Sequence, residues 1–188
     1  LQRKCEQSGK QRQQTQYGYG NRQFENTDSL FLKKRRVIDK GNTEVVAEYI
    51  KEMTGADVFR IMPDKEYEKI QDYDELVELT RIEHENDERP TFNGKINDIG
   101  KYDTIFIGSP IWWYTFPQVM YTILDSYDLN GKTIIPFTTH EGSGLADVVE
   151  VLRKYYPNAT VAEGLAIRGR DAVKSKEKVV RWLEKTGF

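Results

Sequence analysis

Three short runs of β-branched and aromatic residues recur between stretches of helical period: Tyr102 to Ile107 (YDTIFI), Thr133 to Phe137 (TIIPF) and Thr160 to Ile167. Continuous apolar runs of this length are strands covered on both faces. Strands alternating with helices make a parallel sheet wrapped on both sides, which limits the fold to an α/β class. The helices follow from the same pattern. Asn42 or Thr43 caps one running to about Met53, with Val46, Ile50 and Met53 on one face and Gly55 as its stop. A second is expected over Tyr73 to Glu85, before a break at Pro90. Pro117 opens a third through Val119, Met120, Ile123 and Leu124. Ser143 or Gly144 starts a fourth through Val148, Val149 and Leu152, and Ser175 to Lys185 forms a fifth with Val179, Trp182 and Leu183 inward. Ala56 to Ile61 reads as a further strand ended by Pro63.

The chain of 188 residues suits one ordinary domain. Its net charge of −2 conceals an asymmetry: residues 1–40 carry an excess of six positive charges and residues 41–188 an excess of eight negative ones. Residues 1–28 are rich in Gln, Gly, Arg and Asn with no apolar period, and are expected to form a polar, disordered tail ahead of a domain over 29–188. No run approaches the ~18–20 apolar residues of a membrane helix, so no membrane span is expected. The near-neutral balance argues against a general nucleic-acid binder. One cysteine, Cys5, gives no disulfide framework, and with two histidines no metal cluster is expected. Gln2, Arg3 and Lys4 lack the apolar-then-small pattern of a lipoprotein start at Cys5. Export by that route is therefore not expected, and a cytoplasmic location is.

Ligands of a parallel α/β sheet lie beyond the carboxyl ends of its strands. Three loops fall there. Gly41-Asn42-Thr43 opens a helix, and its backbone N–H groups at the positive dipole end suit a phosphate. Gly108 to Pro117 (GSPIWWYTFP) packs four aromatics into one loop, which covers a flat apolar ligand or else serves a dimer interface or folds back on the core. Thr138 to Gly144 (TTHEGSG) joins hydroxyl groups to glycines that admit a ligand close to the backbone. Phosphate at one corner, a flat ring against aromatics and a glycine–hydroxyl edge together describe a flavin mononucleotide (FMN) site.

In GNTEVVAEYI, YDTIFIGSPIWWYTFP and GKTIIPFTTHEGSG, and in the middle loop with Glu85-Asn86-Asp87 and Arg89-Pro90, the chain resembles the flavodoxin-like proteins, in particular the bacterial branch with a Trp-Trp loop. The resemblance covers about residues 41–188. It implies a three-layer α/β/α sandwich on a five-stranded parallel sheet in order 2-1-3-4-5, with FMN bound noncovalently. It implies phosphate contacts from Gly41, Asn42 and Thr43. Ser109, Pro110, Ile111, Trp112 and Trp113 would line the ring and ribityl chain, and Thr139, His140, Gly142, Ser143 and Gly144 the ring's polar edge. The partners implied are NAD(P)H or a redox protein, and a homodimer is compatible with the family. The flavin carries the redox chemistry, so no side chain need act as acid or base. His140 is the one candidate proton donor to a quinone-like acceptor or the reduced flavin; the plainer reading is a loop histidine bonded to its own backbone. The expected function is an electron carrier or an NAD(P)H-dependent quinone reductase. The alternative is a non-enzymatic module with an impaired flavin site, acting through its aromatic loop as an interaction surface.

One stretch departs from the family. Its phosphate loop runs Ser-x-Thr-Gly-Asn-Thr, and here Ile38-Asp39-Lys40 replaces both hydroxyls and brings a carboxylate towards the phosphate. Upstream, Lys33 to Arg36 are four consecutive cations, which cannot occupy a central strand covered on both faces. The expected cause is an altered start or frame that replaced the first strand, rather than a surface patch, and FMN binding is expected to be weakened. Other motifs carry nothing. Gly131-Lys132-Thr133 precedes its strand and has Ser126 where a P-loop needs Gly. Gly142-Ser143-Gly144 lacks the hydrolase frame. Asn158-Ala159-Thr160 is a chance glycosylation match, and Gly108-Ser109 stands where a receiver domain has its acceptor Asp.

Overall fold

Helix α1 (Asn42–Thr54) begins directly at Gly41, which has extended backbone and no capping side chain, and ends at Gly55 in the left-handed conformation (φ 71°). The computed structural model describes residues 40–65, 67–70 and 72–188. Gly41, rather than Asn42 or Thr43, is therefore the helix cap. Val46 and Ile50 are buried as expected, whereas Met53 is 49% exposed. The strand expected over Ala56 to Ile61 does not form. Val58 and Phe59 are exposed, and among the described residues no neighbouring strand takes up that backbone. What forms instead is a two-residue antiparallel ladder of β1 (Met62–Pro63) with β2 (Phe92–Asn93). Between them runs α2 (Tyr73–Glu85), opened by Asp72, whose carboxylate accepts from the N–H groups of Asp74 and Glu75.

The sheet proper is parallel. Strand β3 (Thr104–Pro110) pairs along its whole length with β4 (Thr133–His140), in register from Thr104–Thr133 to Pro110–Thr139. On the other side of β4 lie β5 (Thr160–Val161) and β6 (Leu165–Arg168). The single strand expected over 160–167 is thus two. The break falls opposite Pro136, which has no N–H to give, and one extra residue accumulates on that side between the Ile134–Val161 and Phe137–Leu165 pairs. Gly108 is required in β3: a Cβ there would lie 2.0 Å from the Phe137 ring across the ladder. The order β3-β4-β5/β6 is that of the last three strands of the expected sheet. The expected first strand and the 1–28 tail lie outside the described residues, and with the segment at 56–61 irregular the full five-strand order is not assembled among the described ones.

Helices cover both faces. Val46 and Ile50 of α1, with Val179, Trp182 and Leu183 of α5 (Lys176–Thr186), pack on Ile135, Phe137, Leu165 and Ile167. On the opposite face, Met120 and Leu124 of α3 (Gln118–Ser126) join Val148 and Leu152 of α4 (Val148–Tyr155) around Ile107 and Ile134. Neighbours 134 and 135 on β4 face opposite layers, as strand geometry requires. The fourth helix starts later than expected, after a run of turns over 144–147. The result is an α/β/α sandwich whose strands β3, β4 and β6 all end at one edge.

Candidate flavin site

The three loops converge on the last residues of β4. Thr138 and Thr139 are buried strand residues rather than loop, because β4 runs on to His140 between β3 and β6. Thr139 joins two of the loops: its Oγ1 lies 2.6 Å from Thr43 Oγ1 at the start of α1, and its carbonyl accepts from the Ile111 N–H at 3.0 Å. Thr138 Oγ1 donates to the Gly144 carbonyl at 2.9 Å and so fixes the third loop. Gly169, just past β6, brings its backbone close to two of the loops: a Cβ there would stand 2.6 Å from the side-chain ends Asn42 Nδ2 and Glu141 Oε1, which would have to shift. Gly144 takes the left-handed conformation (φ 63°) before the turns that lead into α4.

At the first loop, the opening N–H groups of α1 have no intrahelical acceptor, and Gly41 supplies no capping side chain. With the Thr43 hydroxyl beside them, these are the donors an anion needs. Lys40 Nζ pairs with Glu48 at 2.5 Å, further along the same helix. Ile38 and Asp39 lie outside the described residues.

The aromatic loop is a tight reversal. Trp112 and Thr115 exchange both backbone hydrogen bonds (3.0 and 2.9 Å), and the two residues between them, Trp113 and Tyr114, both have positive φ (52° and 61°). This is the hairpin-type turn that normally takes Asn or Gly, and bulky residues there cost roughly 1–2 kcal/mol each. Surrounding contacts hold it. Trp113 Nε1 donates to Thr80 Oγ1 at 3.2 Å, and the Trp112 ring meets the Tyr67 ring edge-on, centroids 5.6 Å apart. Phe116 is fully core, and Tyr114 is 44% exposed. Ser109 is buried, its hydroxyl donating to the Pro110 carbonyl.

His140 is half-buried, and its Nδ1 is buried with no hydrogen-bond partner among the described residues. Burial first, then the positive charges of Arg168 and Lys178, push its pKa below the ordinary value near 6.5. That shift favours the neutral imidazole and so disfavours proton donation by an imidazolium. Nor does the plainer reading hold at Nδ1, which bonds no backbone group. Among the described residues no group of three His, Cys, Asp or Glu side chains could hold a metal, and no helix is long and apolar enough to cross a membrane.

A flavodoxin family sequence profile matches residues 37–186. The chain belongs to the flavodoxin family. Solved structures of similar fold include two proteins assigned as flavoproteins, from Bacteroides eggerthii (31% identity, TM-score 0.66, covering 77% of this chain and 90% of that one) and Bacteroides uniformis (30%, 0.66, 76% and 90%). A flavoprotein from Lactobacillus acidophilus, solved in complex with FMN, shares the fold at 20% identity (TM-score 0.54, 72% and 90%). Among curated proteins, none matches the chain.

Two parts of the candidate site were not foreseen from the sequence. Gly169 abuts Asn42 and Glu141 from a segment with no motif of its own. The second part is on α2, whose buried positions are Leu76, Thr80 and Glu83, while Ile82 is 38% exposed. The signal available was their spacing, 76, 80 and 83 being one helical stripe, but apolarity points elsewhere on that helix. The family-like middle loop is structural. Arg89 bonds Asp87 and Asp125 and lies over the Tyr121 ring, tying the end of α2 to α3, while Glu85 pairs with Arg81.

Proposed function

We propose that this chain is an FMN-binding redox protein, serving as a small electron carrier or as an NAD(P)H-dependent reductase of quinone-like acceptors. The observation that carries this reading is the meeting of an uncapped helix N-terminus, a tryptophan turn and a glycine–hydroxyl loop on the end of β4. Gly41, Asn42 and Thr43 would hold the phosphate through backbone N–H groups and the Thr43 hydroxyl. Trp112 and Trp113 would flank the ring, with backbone from Ser109 to Ile111 along the ribityl chain. Thr139, His140, Gly142, Ser143 and Gly144 would border the polar edge. When bound, the flavin supplies the electron transfer. The protein's residues position it and exclude water from its apolar face.

The purified protein, reconstituted with FMN, should show flavin absorbance that co-purifies through gel filtration. NADH and NADPH oxidation, measured with and without a quinone panel, then separates the two roles. Turnover with a quinone marks a reductase, and reduction only by a partner protein marks a carrier. A protein that retains no flavin at all would leave only the aromatic-loop interaction module.

A further inference from the structure

Behind the tryptophan turn lies a buried ionic group that holding a flavin does not by itself require. Glu83 is 1% exposed, on the inward stripe of α2 where a leucine would serve packing equally well. Its carboxylate accepts from Lys65 Nζ at 2.6 Å and from the Tyr67 hydroxyl through both oxygens, at 3.1 and 3.0 Å. A buried carboxylate needs such partners, and they fix its neighbours in return. The Tyr67 ring held this way is the one that meets Trp112 edge-on, 5.6 Å away. One turn earlier on the same stripe, Thr80 receives the Trp113 indole N–H at 3.2 Å. The Glu83 main-chain carbonyl accepts from Gln118 Nε2 at 3.0 Å, at the residue where the aromatic loop gives way to α3. One face of α2 thus holds the Trp113 indole and the exit of the loop directly, and Trp112 through Tyr67.

We propose that Glu83 is a positioning residue for the flavin ring. Anchored by Lys65, it orients Tyr67 and through it Trp112, so that the left-handed 112–115 turn presents its indoles in one arrangement. The inference rests on the reading that the ring lies against Trp112 and Trp113. Its test compares Glu83→Gln and Tyr67→Phe with Trp112→Ala, all titrated with FMN and with riboflavin. Visible circular dichroism and flavin fluorescence are recorded at saturation. Tyr67→Phe keeps the ring and removes only its tether, and it decides the matter should Glu83→Gln fail to fold. The expected result is a Kd raised about tenfold, equally for FMN and riboflavin because the phosphate is not involved, together with altered circular dichroism of the bound flavin. If the folded variants bind both flavins with wild-type affinity and wild-type spectra, and only melt earlier, the ionic group is packing alone and the inference is overturned. If Trp112→Ala also leaves both affinities unchanged, the placement of the ring itself falls, and the inference with it.

Discussion

Trp113 and Tyr114 hold backbone conformations that favour glycine, yet both are large aromatics in a loop tied to α2 through Thr80. Strain retained at a ligand edge suits a surface shaped for a flat molecule rather than for stability. Replacing Trp113 or Trp112 with Ala should weaken FMN binding by ~1–3 kcal/mol, the range for loss of one stacking side chain under a nucleobase. Isothermal titration measures it. His140 makes a second prediction at this scale. Its folded pKa lies below the ordinary value near 6.5, so between the two values the unfolded chain binds the extra proton and the folded one does not. Stability contributed in this way is whole above about 6.5 and is lost as the pH falls from there through the lowered folded value. Chemical denaturation from pH 7.5 to 5 should show this decline, and His140→Asn should flatten it. An unchanged slope in the variant would assign the decline to other groups.

At the scale of elements, the strands and helices that build the cofactor edge were legible where one physical rule governed them. The runs at 104–107 and 133–137 are covered on both faces, so apolarity alone marks them, and α1 carries its stop, Gly55, in sequence. Their continuation to Pro110 and His140 was not legible. Ser109, Thr138 and Thr139 look like loop residues, and only pairing with the neighbouring strand keeps them in the sheet. The 160–167 run is split by Pro136, a residue distant in sequence. Helix α2 was legible in extent, but its facing was not. Apolarity would turn Ile82 inward, whereas burial favours Glu83 because Lys65 and Tyr67 arrive from a separate segment to satisfy it. Two substitutions test the element-level account by thermal melts. Asp72→Ala removes the two capping bonds of α2 and should cost about 1 kcal/mol. Gly108→Ala forces a Cβ into the Phe137 ring and should cost roughly 1–3 kcal/mol, with β3 and β4 pushed apart.

Over the whole molecule, the site is where the two layers of helices and the sheet end together. The Gly41–Thr43 turn opens α1 on one face, the tryptophan turn precedes α3 on the other, and β4 between them bonds to both. Family resemblance could name the loops but not their hub. Thr139 contacts two of them, and nothing in its own sequence neighbourhood says so. The departure at Ile38-Asp39-Lys40 remains the reason to expect a reduced phosphate contribution, since two hydroxyl donors are replaced and a carboxylate is added. The central claim is that this edge binds FMN by its ring and its phosphate. The most direct measurement is an equilibrium fluorescence titration of the wild-type protein with FMN and, in parallel, riboflavin. The account predicts that both flavins are quenched on binding, at one per chain, with FMN the tighter of the two by a margin that salt reduces. Flavin fluorescence unchanged at protein concentrations well above micromolar, for both ligands, would contradict it.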